Sequence, residues 1–256
     1  KGKTILENAA IEPEIIDLIA VLNKMGAQIS YQDRTIKIEG VEKLSGITHS
    51  IMPDRNEAVS FACLALATKG RIFVRHAQHE HLKSFLKALD NIGTSYEIQR
   101  DGMLFTSGNQ ALKPLHLEVD GHPGFMTDWQ PPFAVLLTQA QGTSTIHDTV
   151  YEDRFGYTKI LKSMGAHIEV SFSCLGGQAS CRFAFRGLPH SAILQGPATL
   201  KSCDFEIIDI RAGIATVIAA LAAQGTSHIT GIDHIERGYE NFFEKLQKLG
   251  AQIQLT

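Results

Sequence analysis

Four times along this chain a glycine closes an apolar, helix-like run and opens a short strand, and about two dozen residues later a second glycine does the same. The first glycines are Gly2, Gly70, Gly142 and Gly225, and the second are Gly26, Gly93, Gly165 and Gly250. Pair by pair they lie 24, 23, 23 and 25 residues apart, while successive first glycines are separated by 68, 72 and 83. Self-similarity at so regular a period is the mark of one folding module used repeatedly, and it restricts the architecture more than any composition figure does.

After each first glycine comes a strand-forming segment: Lys3 to Leu6, Arg71 to Val74, Thr143 to Ile146 and Thr226 to Thr230. Glycine there suits a left-handed helix end, and Lys69, Gln141 and Gln224 just before it suit a solvated last turn. Next come amphipathic runs such as Ile15-Ile16-Leu18-Ile19-Leu22 and Tyr239-Phe242-Phe243-Leu246-Leu249, whose apolar spacing of three and four predicts helices. The second glycine opens alternating segments, Ala27 to Ser30, Ala166 to Glu169 and Ala251 to Gln254, read as half-buried strands. In the first repeat a returning strand, Thr35 to Ile38, follows the turn Gln32-Asp33-Arg34. Ahead of the later first glycines, Glu57 to Thr68, Pro132 to Ala140 and Ala212 to Ala223 read as a second set of helices. A complete unit is therefore strand, helix, strand, helix, strand, strand. Three such units follow half of a fourth, and they are expected to pack about a pseudo-threefold axis with their Ala-Ile-Leu-rich first helices inside.

At 256 residues, 44% of them apolar and 20% charged, the chain has material for one large core or two smaller ones. No apolar run approaches the roughly 20 residues that span a bilayer, and the start lacks a signal-peptide pattern, so a cytoplasmic protein with no membrane partner is expected. A formal charge of −3 gives no general attraction to nucleic acid. Cys63, Cys174, Cys181 and Cys203 show neither CxxC spacing nor a paired histidine motif. They read as free thiols in a reducing compartment rather than as a zinc site or disulfide, and neither metal nor cofactor is expected.

The helix starts carry the chemistry. Asp54, Asp128 and Asp209 lie 16, 14 and 16 residues before their glycines, and Arg55 and Arg211 sit close behind two of them. Aspartate there is either an N-cap, stabilising its helix by about 1 kcal/mol, or a functional carboxylate. The second helices open with Glu12-Pro13-Glu14, His76 to His81, Tyr151-Glu152-Asp153-Arg154 and His234 to Glu240. Arginine in a first turn opposes the helix dipole, so Arg154 and Arg237 need another reason to be present. They either pair with a nearby carboxylate such as Glu152 or Glu240, or help hold an anion with exposed backbone N–H groups. Several such starts converging with Arg55, Arg211 and Arg237 suit a substrate carrying more than one phosphate.

Five stretches in register carry a resemblance. They are Glu7-Asn8-Ala9-Ala10-Ile11-Glu12-Pro13-Glu14, Pro53-Asp54-Arg55, Thr127-Asp128-Trp129-Gln130, Thr149 to Phe155, and His234-Ile235-Glu236-Arg237-Gly238-Tyr239-Glu240. Together they resemble the UDP-N-acetylglucosamine enolpyruvyl transferases (1-carboxyvinyltransferases), from Lys3 to the C-terminus and most weakly between Ser171 and Cys203. The resemblance implies an inside-out α/β barrel of the enolpyruvyl transferase type, with βαβαββ units and an active site between two domains. On that plan residues 1–43 are the last half-unit of the first domain. Residues 44–256 are the second domain, with units at about 44–112, 113–187 and 188–256.

The implied reaction moves enolpyruvyl from phosphoenolpyruvate to the 3-hydroxyl of UDP-N-acetylglucosamine, releasing phosphate and committing the sugar to peptidoglycan. By resemblance Asp128 is the base or the carboxylate on the sugar 3-hydroxyl, Arg237 grips phosphoenolpyruvate, and Asp209 and Arg211 help close the site. Glu12 and Glu14 match an acidic pair beside the sugar, Val150 matches a backbone contact to it, and Arg55 and Arg154 complete the expected substrate-binding set. The family's proton-donating lid, with a lysine and a further arginine, belongs to the first domain and has no counterpart here. The chain is therefore expected to be part of a longer protein, inactive alone and partnered by the rest of that domain. Asn56, Trp129, Pro131-Pro132 and Glu236 depart from the family pattern, and residues 171–200 run longer than typical. Two other readings remain open: a non-catalytic nucleotide-sugar-binding paralogue, and a different enolpyruvyl transferase such as the shikimate-pathway synthase.

Overall fold

The computed structural model describes residues 2–177 and 181–255. The chain divides into two compact units, Lys1–Asp54 and Arg55–Thr256. The first unit holds β1 (Lys3–Leu6), α1 (Pro13–Lys24), β2 (Gln28–Gln32) and β3 (Thr35–Glu39). Its sheet has the order β1-β3-β2, with both outer strands antiparallel to β3. Pro13 sits in the first turn of α1, where its missing N–H leaves no hydrogen bond unmade.

The second unit repeats this theme around three helices. α2 (Arg55–Ala67) leads into β4 (Arg71–Arg75), α3 (Lys83–Ile92), β5 (Ser95–Gln99) and β6 (Gly102–Thr106), whose sheet is β4-β6-β5. β7 (His116–Val119), α4 (Gln130–Leu137), β8 (Gly142–Asp148), α5 (Thr158–Ser163), β9 (His167–Ser171) and β10 (Ser191–Gly196) form a full βαβαββ unit. Its sheet, β7-β8-β10-β9, has β7 parallel to β8 and the remaining neighbours antiparallel. The last repeat contributes β11 (Phe205–Glu206), α6 (Ile210–Ala222), β12 (Ile229–Thr230), α7 (Asp233–Glu236) and α8 (Phe242–Lys248), with β11 parallel to β12.

Helices α2, α4 and α6 pack on one another. Each is almost entirely buried: Val59, Ala62, Cys63 and Ala65 on α2, Phe133 to Leu137 on α4, and Ile214 to Ala219 on α6. A helix apolar on every side must be surrounded by protein, and β4, β6, β8 and β10 pack against α2 and α4. α3 is different in kind, with Phe85, Leu86, Leu89 and Ile92 buried on one face. The expected inside-out arrangement, helices within and sheets around them, is the arrangement found.

Several expectations fail in detail. Residues 44–52 form no strand, so the repeat expected at 44–112 opens directly on α2. β10 pairs with both β8 and β9, which carries the middle unit to Gly196 rather than 187. The segment Ala251 to Gln254 is not a strand. Strands β2, β5 and β9, by contrast, each pair with the strand that follows them. Nor do all four cysteines stand apart. Ser191 faces His147 across β8–β10 and Ser171 across β9–β10, so the sheet register gathers His147, His190 and Cys174 at one end, where Cys181 joins them. That adjacency comes from strand pairing and has no trace in the linear spacing.

Seven of the eight repeat glycines have positive φ, as a left-handed helix end requires; in the second repeat Lys69, at +55°, takes that conformation instead of Gly70. Gly165 has φ +101°, and a Cβ there would lie 3.1 Å from the Thr199 carbonyl, whereas at Gly70 the nearest atom would be an ordinary 3.4 Å away. Gly165→Ala is expected to lower unfolding free energy by about 1–2 kcal/mol in urea titration, and Gly70→Ala by less than about 0.5 kcal/mol.

Candidate active site

The three buried helices start at one end of the bundle, and their first residues meet. Asp128 lies in a 3-10 turn, Thr127–Trp129, that runs into α4. Its Oδ1 accepts a 2.7 Å hydrogen bond from Arg154 Nη2, and its Oδ2 lies 3.1 Å from Arg211 Nε in the second residue of α6. Asp128 retains about a quarter of its side-chain exposure, so the ion triad is reachable from solvent. Arg154 also donates to the Thr127 hydroxyl at 3.1 Å and lies 4.1 Å over the Tyr151 ring. Its partner is therefore Asp128, twenty-six residues back, and not the adjacent Glu152.

From this triad a polar chain runs into the helix bundle. Arg211 Nη1 donates to the Tyr239 hydroxyl at 3.3 Å, which is 2.8 Å from the Ser60 hydroxyl on α2; Ser60 in turn donates to the Asn56 carbonyl. In the other direction the Thr127 hydroxyl donates to Asp148 Oδ2 at 2.7 Å, and Asp148 Oδ1 accepts the N–H groups of Val150 and Tyr151. Charge-assisted bonds of this kind are about twice as strong as neutral ones, and serially linked they hold each side chain in one orientation.

The three helix-start aspartates are not equivalent. Asp209 Oδ1 accepts from the N–H groups of Arg211 and Ala212, which makes it the N-cap of α6. It orients Arg211 indirectly, by fixing the turn that carries it. Asp128 caps nothing; both its oxygens face guanidinium groups. Arg55, the first residue of α2, is buried with its guanidinium 5.4 Å over the Trp129 ring. Trp129 Nε1 donates to Asn56 Oδ1 at 2.9 Å. Two departures from the family pattern are thus partners, each meeting a need created by the other: a buried indole N–H requires an acceptor.

Arg237 stands apart from this cluster. It is exposed at the end of α7, and its Nη2 lies 2.9 Å from His234 Nδ1. Glu12 and Glu14 belong to the first compact unit, Glu12 at the N-cap position of α1 and Glu14 in its first turn. One oxygen of Glu12 is buried with no hydrogen-bond partner. Val150 enters the network through its backbone N–H, bonded to Asp148.

A family model described as EPSP synthase (3-phosphoshikimate 1-carboxyvinyltransferase) matches residues 1–246. The chain belongs to the EPSP synthase family. Among curated relatives, UDP-N-acetylglucosamine 1-carboxyvinyltransferase of Protochlamydia amoebophila is 49% identical over 257 aligned positions, covering 100% of this chain and 55% of the relative. The enzyme of the same name from Chlamydia muridarum is 47% identical, covering 99% and 58%. The chain spans little more than half the length of the curated relatives it matches. Among solved structures, the enolpyruvyl transferase NikO from Streptomyces tendae superposes with a TM-score of 0.86 at 26% identity, covering all of this chain and 57% of NikO. EPSP synthase from Acinetobacter baumannii, at 16% identity and a TM-score of 0.72, shares the fold. The helices-inside architecture is thus that of the EPSP synthase family.

Sequence reading singled out Asp128, Arg154 and Arg211, and the fold brings these into direct contact. It overlooked Thr127, Asp148 and Ser60. Thr127 and Tyr239 lay within recognised motifs and could have been nominated; Asp148 and Ser60 are strand and helix residues with no local signal. Burial raises the Asp148 carboxyl above its usual range, against the N–H of Tyr151, the Thr127 hydroxyl, the N–H of Val150 and the Arg154 charge, which pull it down. A carboxyl whose folded value lies above its unfolded value binds its proton more readily when folded. Its contribution to stability is therefore largest below the unfolded pKa and declines as pH rises through the folded one. Asp148→Asn removes this titration, so the loss of stability between about pH 4 and pH 7, measured by urea unfolding, is expected to be smaller in the variant than in the parent chain.

Proposed function

We propose that the protein carrying this chain transfers enolpyruvyl from phosphoenolpyruvate to the 3-hydroxyl of UDP-N-acetylglucosamine, the committed step towards peptidoglycan. The observation that carries this reading is the solvent-reachable Asp128 carboxylate clamped between Arg154 and Arg211 at converging helix starts. The names of relatives at 46–49% identity supply its substrate class.

The chemistry is addition followed by elimination. The sugar hydroxyl oxygen bonds to C2 of phosphoenolpyruvate, giving up its proton towards the Asp128 carboxylate, as another proton reaches the methylene carbon and makes it a methyl group; the C2–O bond to phosphate then breaks and a methyl proton leaves, restoring the double bond. Asp128 accepts the hydrogen bond of the attacking hydroxyl, orienting its lone pair. The two arginines hold both carboxylate oxygens in place, and each oxygen keeps a further lone pair for substrate. Arginine at the site suits a substrate bearing phosphate and carboxylate groups, which a guanidinium meets with paired N–H donors. Pre-positioning of this kind accelerates reaction by removing orientational freedom before the barrier.

Arg237 is proposed as a phosphoenolpyruvate ligand, which requires it to leave His234. Asp209 is proposed to act by holding Arg211, and Val150 to offer backbone contact to the sugar. Glu12 and Glu14 are proposed as sugar contacts on the strength of the resemblance alone. Residues 1–43 are proposed as the end of a first domain and 44–256 as a second, the lid and remaining anion ligands lying in the length that relatives have beyond this match. Among the described residues no helix is long and apolar enough to cross a membrane, in keeping with a proposed cytoplasmic site of action.

Phosphate release from phosphoenolpyruvate by the full-length protein decides between readings. Release is expected with UDP-N-acetylglucosamine and not with 3-phosphoshikimate, and Asp128→Asn is expected to lower kcat about 10²- to 10⁴-fold. Release with 3-phosphoshikimate alone points to the shikimate-pathway reaction, and release with neither points to a binding paralogue.

A further inference from the structure

At one end of the β7-β8-β10-β9 sheet four metal-ligating side chains converge. His147 Nδ1 or Nε2, Cys174 Sγ, Cys181 Sγ and one ring nitrogen of His190 all lie within 4.8 Å of one another. The edge of a tetrahedron with metal–sulfur bonds near 2.3 Å is about 3.8 Å, so these atoms need only small movements to share one ion. His147, Cys181 and His190 are buried and Cys174 half-buried.

One of the two imidazoles, His147, is in a state that calls for a ligand. His147 is 1% exposed, and neither ring nitrogen has a hydrogen-bond partner. A buried imidazole with both nitrogens idle is costly in a neutral protein interior, and coordination removes that cost. Glu118, opposite His147 in the β7–β8 register, places Oε2 3.7 Å from Nδ1 and also accepts from the Gly177 N–H at 2.8 Å. That side of the ring is crowded: a Cβ on Gly176 would lie 2.4 Å from both Nδ1 and Glu118 Oε2. Nε2 is therefore the nitrogen left for an ion, with Glu118 as the carboxylate behind it. His190 shows the same division. Its Nδ1 lies 2.6 Å from the Leu188 carbonyl, which places the ring proton there, and its Nε2 faces Cys174 Sγ at 3.3 Å. An outer partner that sets the tautomer of a ligating histidine is the usual companion of a metal site.

We propose that His147, Cys174, Cys181 and His190 form a tetrahedral Zn²⁺ site. Two thiolates and two imidazoles suit zinc, and four protein ligands leave no open position, so the site is structural rather than catalytic. Binding displaces the two thiol protons to solvent, and the ion takes the sulfur and nitrogen lone pairs. It would tie the loop between β9 and β10 to the end of β8, where the next residue, Asp148, anchors Thr127 behind the Asp128 triad. This inference is independent of the substrate proposed above.

The chain, purified under reducing conditions, loaded with zinc chloride and desalted, is expected to keep about one zinc ion per molecule. A Cys174→Ser/Cys181→Ser double variant is expected to keep under about a tenth of that, while Cys63→Ser/Cys203→Ser keeps all of it. Cobalt titration of the unsubstituted chain, which does not depend on any variant folding, is expected to show the visible bands of tetrahedral Co²⁺ with thiolate-to-cobalt charge transfer. Three outcomes would each overturn the proposal: no zinc retained by the unsubstituted chain, equal retention by Cys174→Ser/Cys181→Ser, or a Cys174–Cys181 disulfide in the reduced preparation's peptide masses.

Discussion

The structure of the second unit depends on the mutual burial of three helices that have no polar face. α2, α4 and α6 present Ala, Val, Leu, Ile and Phe on every side, and only a position surrounded by protein removes that surface from water. Packing them side by side, each followed by a strand that returns outside, puts their starts together. Backbone N–H groups at a helix start have no partners within the helix, so polar and charged side chains collect there. The Asp128–Arg154–Arg211 triad is the consequence: an ionic knot where the starts of an apolar bundle meet and the Asp128 carboxylate still reaches solvent.

Placing charge at such a junction carries a penalty in desolvation, and the surroundings show how it is met. Each oxygen of Asp128 has its own guanidinium, Arg211 has Tyr239, Tyr239 has Ser60, and Arg154 has Thr127 and the Tyr151 face. An ion pair half removed from water contributes little unless its remaining donors are also satisfied. The Trp129–Asn56 pair belongs to the same logic, because the indole that braces Arg55 brings a buried N–H that only an acceptor such as Asn56 can meet. Read separately along the chain, the two residues are departures from a pattern; seventy-three residues apart in sequence, they are one substitution in space.

The same contrast holds for aspartates placed at matching offsets. Asp209 has free N–H groups directly ahead of it and turns back to cap them. Asp128 sits a residue inside a 3-10 turn and faces two arginines delivered by other elements, one from beyond β8 and one from α6. Identical local chemistry yields a cap in one case and a presented carboxylate in the other, and the decision rests on what the tertiary structure brings within hydrogen-bonding distance.

Sequence alone determined the repeat, most of the helices and strands, seven of the eight positive-φ glycines and which helices are buried. These follow from local periodicity and backbone sterics, which a linear pattern records. It also placed Asp128 and Arg211 on the list of functional residues, from their positions at helix starts and the family resemblance, and Arg154, because an arginine in a first turn is locally unfavourable. Only the tertiary structure decided who that partner is, that Arg237 turns to His234 instead, and that Cys174 and Cys181 meet two histidines. Strand order and register set those meetings: β10 entering between β8 and β9 brings residues 147, 174 and 190 to one edge. No spacing rule within a single strand or loop encodes a neighbour contributed by another.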